Sequence, residues 1–178
     1  MAIRHSSSFS VTENCAALAR EIADVTRAAF EAKYGSGEGE MRLIARLRAD
    51  GDVVVELAAI EWGAVIGHAM FSRLTVDPPD RKIAALAPVS ARIDRQRSGV
   101  GSALIREGLT RCAAQGYDVV AVLGDPDYYR RFGFTRDAAA SLRSDYSGGH
   151  YQALELRPGV LAGGPWCVAY PRAFTGLD

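Results

Sequence analysis

The sequence predicts an α/β protein built around a mixed sheet, and three observations carry that expectation. Apolar residues recur at helical spacing as far as about residue 49. From Val53 onward the pattern turns β-rich. Residues 83–123 then read as strand, helix, strand.

Thr12 reads as the cap of a helix running to about residue 30, because Leu18, Ile22, Val25 and Ala29 share one face. Gly35-Ser36-Gly37 interrupts it, and a second helix spans residues 38–49. Asp50-Gly51-Asp52 is a turn. Residues 53–60 and 64–74 form an antiparallel hairpin around Glu61-Trp62-Gly63. Residues 77–82 form a loop, since two prolines exclude a ladder there. The nearly continuous apolar run over 83–89 suits a strand covered on both faces. The next helix, 99–115, carries Val100, Leu104, Ile105, Leu109, Cys112 and Ala113 on its apolar side and stops at Gly116. With the strand over 117–123 it makes a right-handed crossover between parallel strands. Asp125-Pro126 is an N-cap followed by proline at the first helical position, and Gly133 ends that short helix. Residues 151–156 and 166–170 read as two further strands. With no repeat or linker, residues 1–178 are expected to form one domain.

Composition excludes several function classes. Lys and Arg together number 21, as do Asp and Glu, so no bulk basic field draws in nucleic acid or an anionic membrane. No apolar run approaches the ~20 residues of a membrane span, and residues 1–8 lack a signal-peptide core. Cys15, Cys112 and Cys167 stand far apart, and His5, His68 and His150 lie at no zinc-ligand spacing from them, so no metal site is expected. Sparse, odd-numbered cysteines suit a reducing cytoplasm.

The chemistry concentrates in residues 86–104, where a buried strand runs through a short polar loop straight into a helix. Gly99 and Gly101 let backbone approach a ligand closely. The first turn of the helix leaves N–H groups without partners at the positive end of the dipole, which suits a phosphate or diphosphate. Arg95 and Arg97 are expected to add charge. A dinucleotide fingerprint would need a third glycine where Leu104 stands, and a Walker A loop would need Gly-Lys-Ser/Thr.

Gln96-Arg97-Ser98-Gly99-Val100-Gly101 resembles the Q/R-x-x-G-x-G/A acyl-CoA diphosphate loop of the GNAT superfamily of N-acetyltransferases. Leu86-Ala87-Pro88-Val89-Ser90 looks like the family's central strand entering that loop. Tyr129-Arg130-Arg131-Phe132-Gly133-Phe134 looks like its Y-x-x-x-G-F element. The hairpin around Val65-Ile66-Gly67-His68 resembles the one preceding the central strand, and 153–174 resembles the end of a subgroup of bacterial N-acetyltransferases. Two departures stand out: Ile93 occupies a frequent proline position and Arg97 a frequent glycine.

The resemblance implies a mostly antiparallel sheet with a central βαβ acyl-CoA-binding unit and flanking helices. It implies transfer of an acetyl group from acetyl-CoA to a primary amine on a small molecule or peptide; the alternative is a GNAT-like module that binds acyl-CoA without turnover. It assigns the diphosphate to the amides of Arg97, Ser98, Gly99, Val100, Gly101 and Ser102, with Gln96 at the entrance. It assigns the pantetheine arm to the free edge at Val89, Ser90 and Ala91, with an N–H near Val89 polarising the thioester carbonyl. It makes Tyr129 the general acid, leaves Tyr128 as an uninvolved neighbour, and includes homodimers among the assemblies of relatives. No general base is assigned: Glu56, His68, Asp125 and Asp127 all have simpler readings as caps, surface charges or satisfied polar groups. Tyr34, Trp62, Tyr146, Tyr151 and Trp166 are candidates for the acceptor side, with no placement among them.

Overall fold

The computed structural model describes residues 9–13 and 15–176. Strands β1 (Ser10–Thr12), β2 (Val53–Glu61), β3 (Ala64–Arg73), β5 (Ile83–Ala91), β6 (Val119–Leu123) and β8 (Tyr151–Glu155) form one sheet in the order β1-β2-β3-β5-β6-β8. Only β5 and β6 run parallel; every other neighbour is antiparallel. Strands β4 (Thr75–Asp77), β7 (Leu142–Arg143) and β9 (Trp166–Ala169) make a small second sheet in the order β4-β9-β7. The mixed, mainly antiparallel sheet with its parallel crossover is the architecture expected from the sequence. The last two expected strands, β8 and β9, belong to different sheets.

Helices cover both faces. Helix α3 (Val100–Ala114) packs with Leu57, Ala69 and Phe71 of β2 and β3. Helices α1 (Ala19–Tyr34) and α2 (Glu38–Asp50) cover Ala58 and Met70 on the opposite face. Residues 57/58 and 69/70 thus divide between two cores, as strand alternation requires. Each fully buried Leu or Phe contributes roughly 1.5–3 kcal/mol.

Two glycines set how closely α3 lies on the sheet. A Cβ at Gly67 would stand 2.5 Å from Val100 Cγ1 and 3.1 Å from Leu104 Cδ1, so the first turn of α3 rests on β3 itself. A Cβ at Gly108 would run into the Phe71 ring. Small residues on both sides of the contact thus fix the start of α3 beside the end of β5.

Thr12 does not cap a helix. It pairs with Ala58 in β1, and α1 begins at Ala19 after a 3-10 turn over Ala16–Leu18. Pairing with the edge of β2 outweighs the local capping preference. Short helices α4 (Pro126–Tyr129) and α5 (Arg136–Ala139) follow β6. No helix among the described residues is long and apolar enough to cross a membrane.

Candidate active site

Strand β5 leaves its parallel neighbour early. Its register with β6 covers Ile83, Ala84 and Ala85, opposite Val119, Val120 and Ala121. On the other side β5 stays paired with β3 as far as Ala91, opposite Gly67. Among the described residues, the edge of β5 facing β6 therefore has no strand partner from Leu86 onward. A cavity of about 420 Å³ opens beside it, lined by Leu86 through Ala91, Gln96, Leu123 and Tyr129. Val89, Ser90 and Ala91 thus stand on the open edge expected of them. Ser90 itself is anchored, its hydroxyl 3.0 Å from the Thr26 hydroxyl of α1.

The loop after β5 turns through a short 3-10 segment, Ile93–Arg95. The Gln96 side-chain amide donates to the Ala91 carbonyl at 3.4 Å, which ties the loop to the strand end. Gly99 has φ +94° and serves as the N-cap of α3 with no side-chain cap. The Ala103 N–H donates to the Gly99 carbonyl at 2.9 Å, the first bond of the helix. The amides of Val100, Gly101 and Ser102 precede it and have no intrahelical acceptor. They converge at the positive end of a helix of 15 residues.

The two loop arginines differ. Arg95 does not supply free charge: its Nε bonds Glu61 at 2.7 Å and its Nη1 bonds Asp94 at 3.1 Å. Arg97 is exposed and forms no ion pair among the described residues. Its φ is +61°, the left-handed region, which explains why a glycine is frequent at this place in relatives. Arg97→Gly would remove about 1 kcal/mol of strain and add about 0.5–1 kcal/mol of chain entropy on unfolding. The expected outcome is an unchanged thermal midpoint, with acetyl-CoA binding weakened roughly 3- to 10-fold by loss of the cation, read by calorimetry.

Tyr129 reaches the cavity from α4. Asp125 caps that helix by accepting from the Asp127 N–H at 2.9 Å, and Pro126 follows it. Tyr129 packs edge-on against Phe134 at 5.8 Å and against Tyr128 at 5.0 Å. A Cβ at Gly124 would stand 2.5 Å from the Tyr129 ring, so that glycine makes room for it. Burial raises the Tyr129 phenol well above its ordinary value, and nearby Tyr128 and Tyr34 raise it further, so it holds its proton at neutral pH. The Tyr128 side chain points toward the start of α3. A Cβ at Gly101 would lie 3.1 Å from the Tyr128 hydroxyl, which places that hydroxyl over the first turn of α3.

The base candidates separate clearly. Asp125 is the cap described above, and Asp127 lies 3.6 Å from Arg130 on the surface. His68 and Glu56 form a buried network under α1 and α2. His68 Nε2 is 2.9 Å from Glu56 Oε1, and Arg48 grips both oxygens of Glu56. Burial lowers the His68 pKa against the opposing pull of the carboxylate, so the ring is neutral. Burial would raise the Glu56 pKa, but the hydrogen bonds from His68 and Arg48 prevail and lower it. In both groups the unfolded chain binds the proton more readily. Stability is therefore full at higher pH and declines below the ordinary imidazole value of 6.5, then again below the ordinary carboxyl value of 4.5. Thermal midpoints measured from about pH 8 to about pH 4 should follow that course, and His68→Gln should flatten its upper part.

One acid missed in the sequence lines the cavity: Glu40, half-buried in the first turn of α2. It gave no signal, because an acid in a first turn is already explained by the helix dipole. Of the aromatic candidates, Tyr34 and Tyr146 line the cavity. Trp62 is exposed at the β2–β3 turn, while Tyr151 and Trp166 belong to the core around β6 and β8. Phe30, Tyr170 and Phe174 line the cavity as well. Their signal was the four-residue spacing of Phe30 with Tyr34 and of Tyr170 with Phe174.

Comparison with known proteins agrees with this geometry. Residues 16–136 match the family model described as "Acetyltransferase (GNAT) domain". The uncharacterized N-acetyltransferase YhbS of Escherichia coli K12 is 33% identical over 141 residues, covering 78% of this chain and 84% of its own. A GNAT family acetyltransferase from Brucella melitensis, solved in complex with acetyl-CoA, superposes with a TM-score of 0.78 at 33% identity, over 94% of this chain and 99% of that one. The Escherichia coli YhbS structure in complex with CoA gives a TM-score of 0.78 at 29% identity, over 94% and 91%. The open strand edge, the uncapped helix start and the tyrosine beside them thus occur in a chain that belongs to the GNAT family of acetyltransferases.

Proposed function

We propose that this chain is an N-acetyltransferase that takes its acetyl group from acetyl-CoA and delivers it to a primary amine in the cavity beside β5. The observation that carries the reading is the parting of β5 from β6 after Ala85, which leaves a cavity lined by Tyr129 and by Gln96 of the loop that leads into the unpaired amides of α3. When bound, acetyl-CoA supplies a thioester whose carbonyl carbon the amine attacks.

The chain's own groups divide the remaining work. The amides from Arg97 to Ser102 hold the diphosphate, with Gln96 at the mouth. The edge at Val89, Ser90 and Ala91 offers the arm the main-chain hydrogen bonds of Val89 and Ala91, as an added strand would receive, while Ser90 turns its own toward β3. A main-chain N–H near Val89 donates to the carbonyl oxygen as charge develops there. Tyr129 gives its proton to the departing sulfur, which leaves as a thiolate and becomes a thiol. The phenolate then takes the proton released from nitrogen as the amide forms, so the hydroxyl ends unchanged. A reducing cytoplasm suits the unpaired Cys15, Cys112 and Cys167. Burial pushes the thiols of Cys15 and Cys112 up to about 12, so neither is a nucleophile at neutral pH.

Calorimetry with acetyl-CoA followed by thiol release across a set of primary amines tests this reading. Saturable binding with amine-dependent release is expected. Tight binding with no release for any amine would replace catalysis with a sensing role.

A further inference from the structure

The coenzyme accounts for only one wall of the cavity. Segments from α1, α2 and the chain after β7 form the other, and no diphosphate or pantetheine group needs them. Two sets of rings make most of that wall. Phe30 and Tyr34 of α1 stand 5.7 Å apart. Tyr146 packs on Tyr170 at 4.5 Å, and Tyr170 on Phe174 at 5.0 Å.

Among the described residues, the charged groups of the lining are Lys33 and Glu40. Lys33 is exposed and places its ammonium 4.8 Å over the Tyr34 ring. Glu40 is half-buried and makes no ion pair among the described residues, whereas nearby Glu38 pairs with Arg27 at 3.3 Å. The cavity wall therefore presents aromatic faces, the exposed Lys33 ammonium turned onto Tyr34, and one carboxylate that has no ion-pair partner among the described residues.

Resting on the acetyl transfer proposed above, we infer that the acceptor is a primary monoamine on an apolar body of about aromatic size, with its ammonium drawn to Glu40 and its body laid among Phe30, Tyr34, Tyr146, Tyr170 and Phe174. An ammonium group is favoured both by a carboxylate and by ring faces. A flat apolar body gains burial and edge-to-face contacts among these rings. A polyamine brings a second ammonium, for which the wall has no second carboxylate, and an unpaired charge in such a place is costly. An aminosugar brings many hydroxyls, more than the few phenol hydroxyls of this wall can partner. Before attack the ammonium loses one proton to solvent water. The free amine then forms the N–C bond as the C–S bond breaks, giving an amide and free CoA thiol.

The test is thiol release by the full chain at saturating acetyl-CoA, with coenzyme binding measured on the same samples. The acceptors are 2-phenylethylamine, spermidine, kanamycin and a lysine-containing tripeptide. The expected kcat/KM for 2-phenylethylamine exceeds each of the others at least about tenfold. Glu40→Gln should raise the KM for 2-phenylethylamine about tenfold while leaving the acetyl-CoA Kd within about twofold. Phe174→Ala, which touches no charge, should raise the same KM roughly fivefold. Faster turnover of spermidine, kanamycin or the tripeptide would overturn the inference and leave acetyl transfer standing. So would an unchanged KM in both variants. Failure to bind acetyl-CoA would overturn both readings together.

Discussion

Tyr129→Phe is expected to lower kcat about 100- to 10,000-fold, the usual range for loss of a positioned general acid, while changing the acetyl-CoA KM little. The substitution removes one oxygen and keeps the ring. The edge-on contacts with Phe134 and Tyr128 persist, as does the fit against Gly124. The proton for the leaving sulfur is what disappears. Burial holds that proton on the phenol through neutral pH, so wild-type kcat should show no loss from Tyr129 ionisation below the ordinary phenol value of 10.0. Tyr128→Phe is the informative contrast. Its hydroxyl lies over the first turn of α3, so its loss should raise the acetyl-CoA KM several-fold and spare kcat. Steady-state kinetics on both variants separate the two roles. Equal and mild changes in both would remove Tyr129 from the chemistry.

Gly101→Val is expected to weaken acetyl-CoA binding about 100-fold or more without unfolding the protein. Gly101 sits in the first turn of α3 with ordinary helical backbone, since its φ is not among the positive ones. A side chain there carries no backbone strain, and replacing glycine within a helix favours the helical state by roughly 0.3–1 kcal/mol. The new Cβ meets only the Tyr128 hydroxyl, at 3.1 Å, and that side-chain end can give slightly. The branched methyl groups, however, stand where a diphosphate must approach the amides of Val100, Gly101 and Ser102. Calorimetry should therefore show lost affinity beside a thermal midpoint at or above that of the wild type. Lost affinity together with a collapsed midpoint would place the effect in folding instead.

Much of this site was legible because its determinants are local. A buried apolar run, a glycine-bearing loop and an amphipathic helix in direct succession specify where a helix opens with unpaired amides, whatever surrounds them. The cap at Asp125-Pro126 likewise fixes where α4 begins and hence where Tyr129 stands. The parts that were not legible depend on distant partners. The run 83–89 is uniformly apolar, so nothing within it marks Ala85 as the last residue paired with β6. Thr12 has the chemistry of a helix cap and is instead held in β1 by Ala58, far along the chain. Arg95 looked like a free cation until the fold brought Glu61 to it. Glu40 and Tyr170 reach one cavity from opposite ends of the sequence. Strands as short as β4 and β7 have too few residues to show a period; β9, lying between them, holds both in place.

The central claim is that the backbone from Arg97 to Ser102 binds a diphosphate while the free edge of β5 receives the arm attached to it. A crystal structure of the protein grown with acetyl-CoA tests this most directly. The diphosphate should lie within hydrogen-bond distance of the amides that open α3, the arm should run along Val89, Ser90 and Ala91, and the sulfur should stand beside Tyr129 Oη. Coenzyme bound away from the end of β5, with those amides facing only water, would contradict the account.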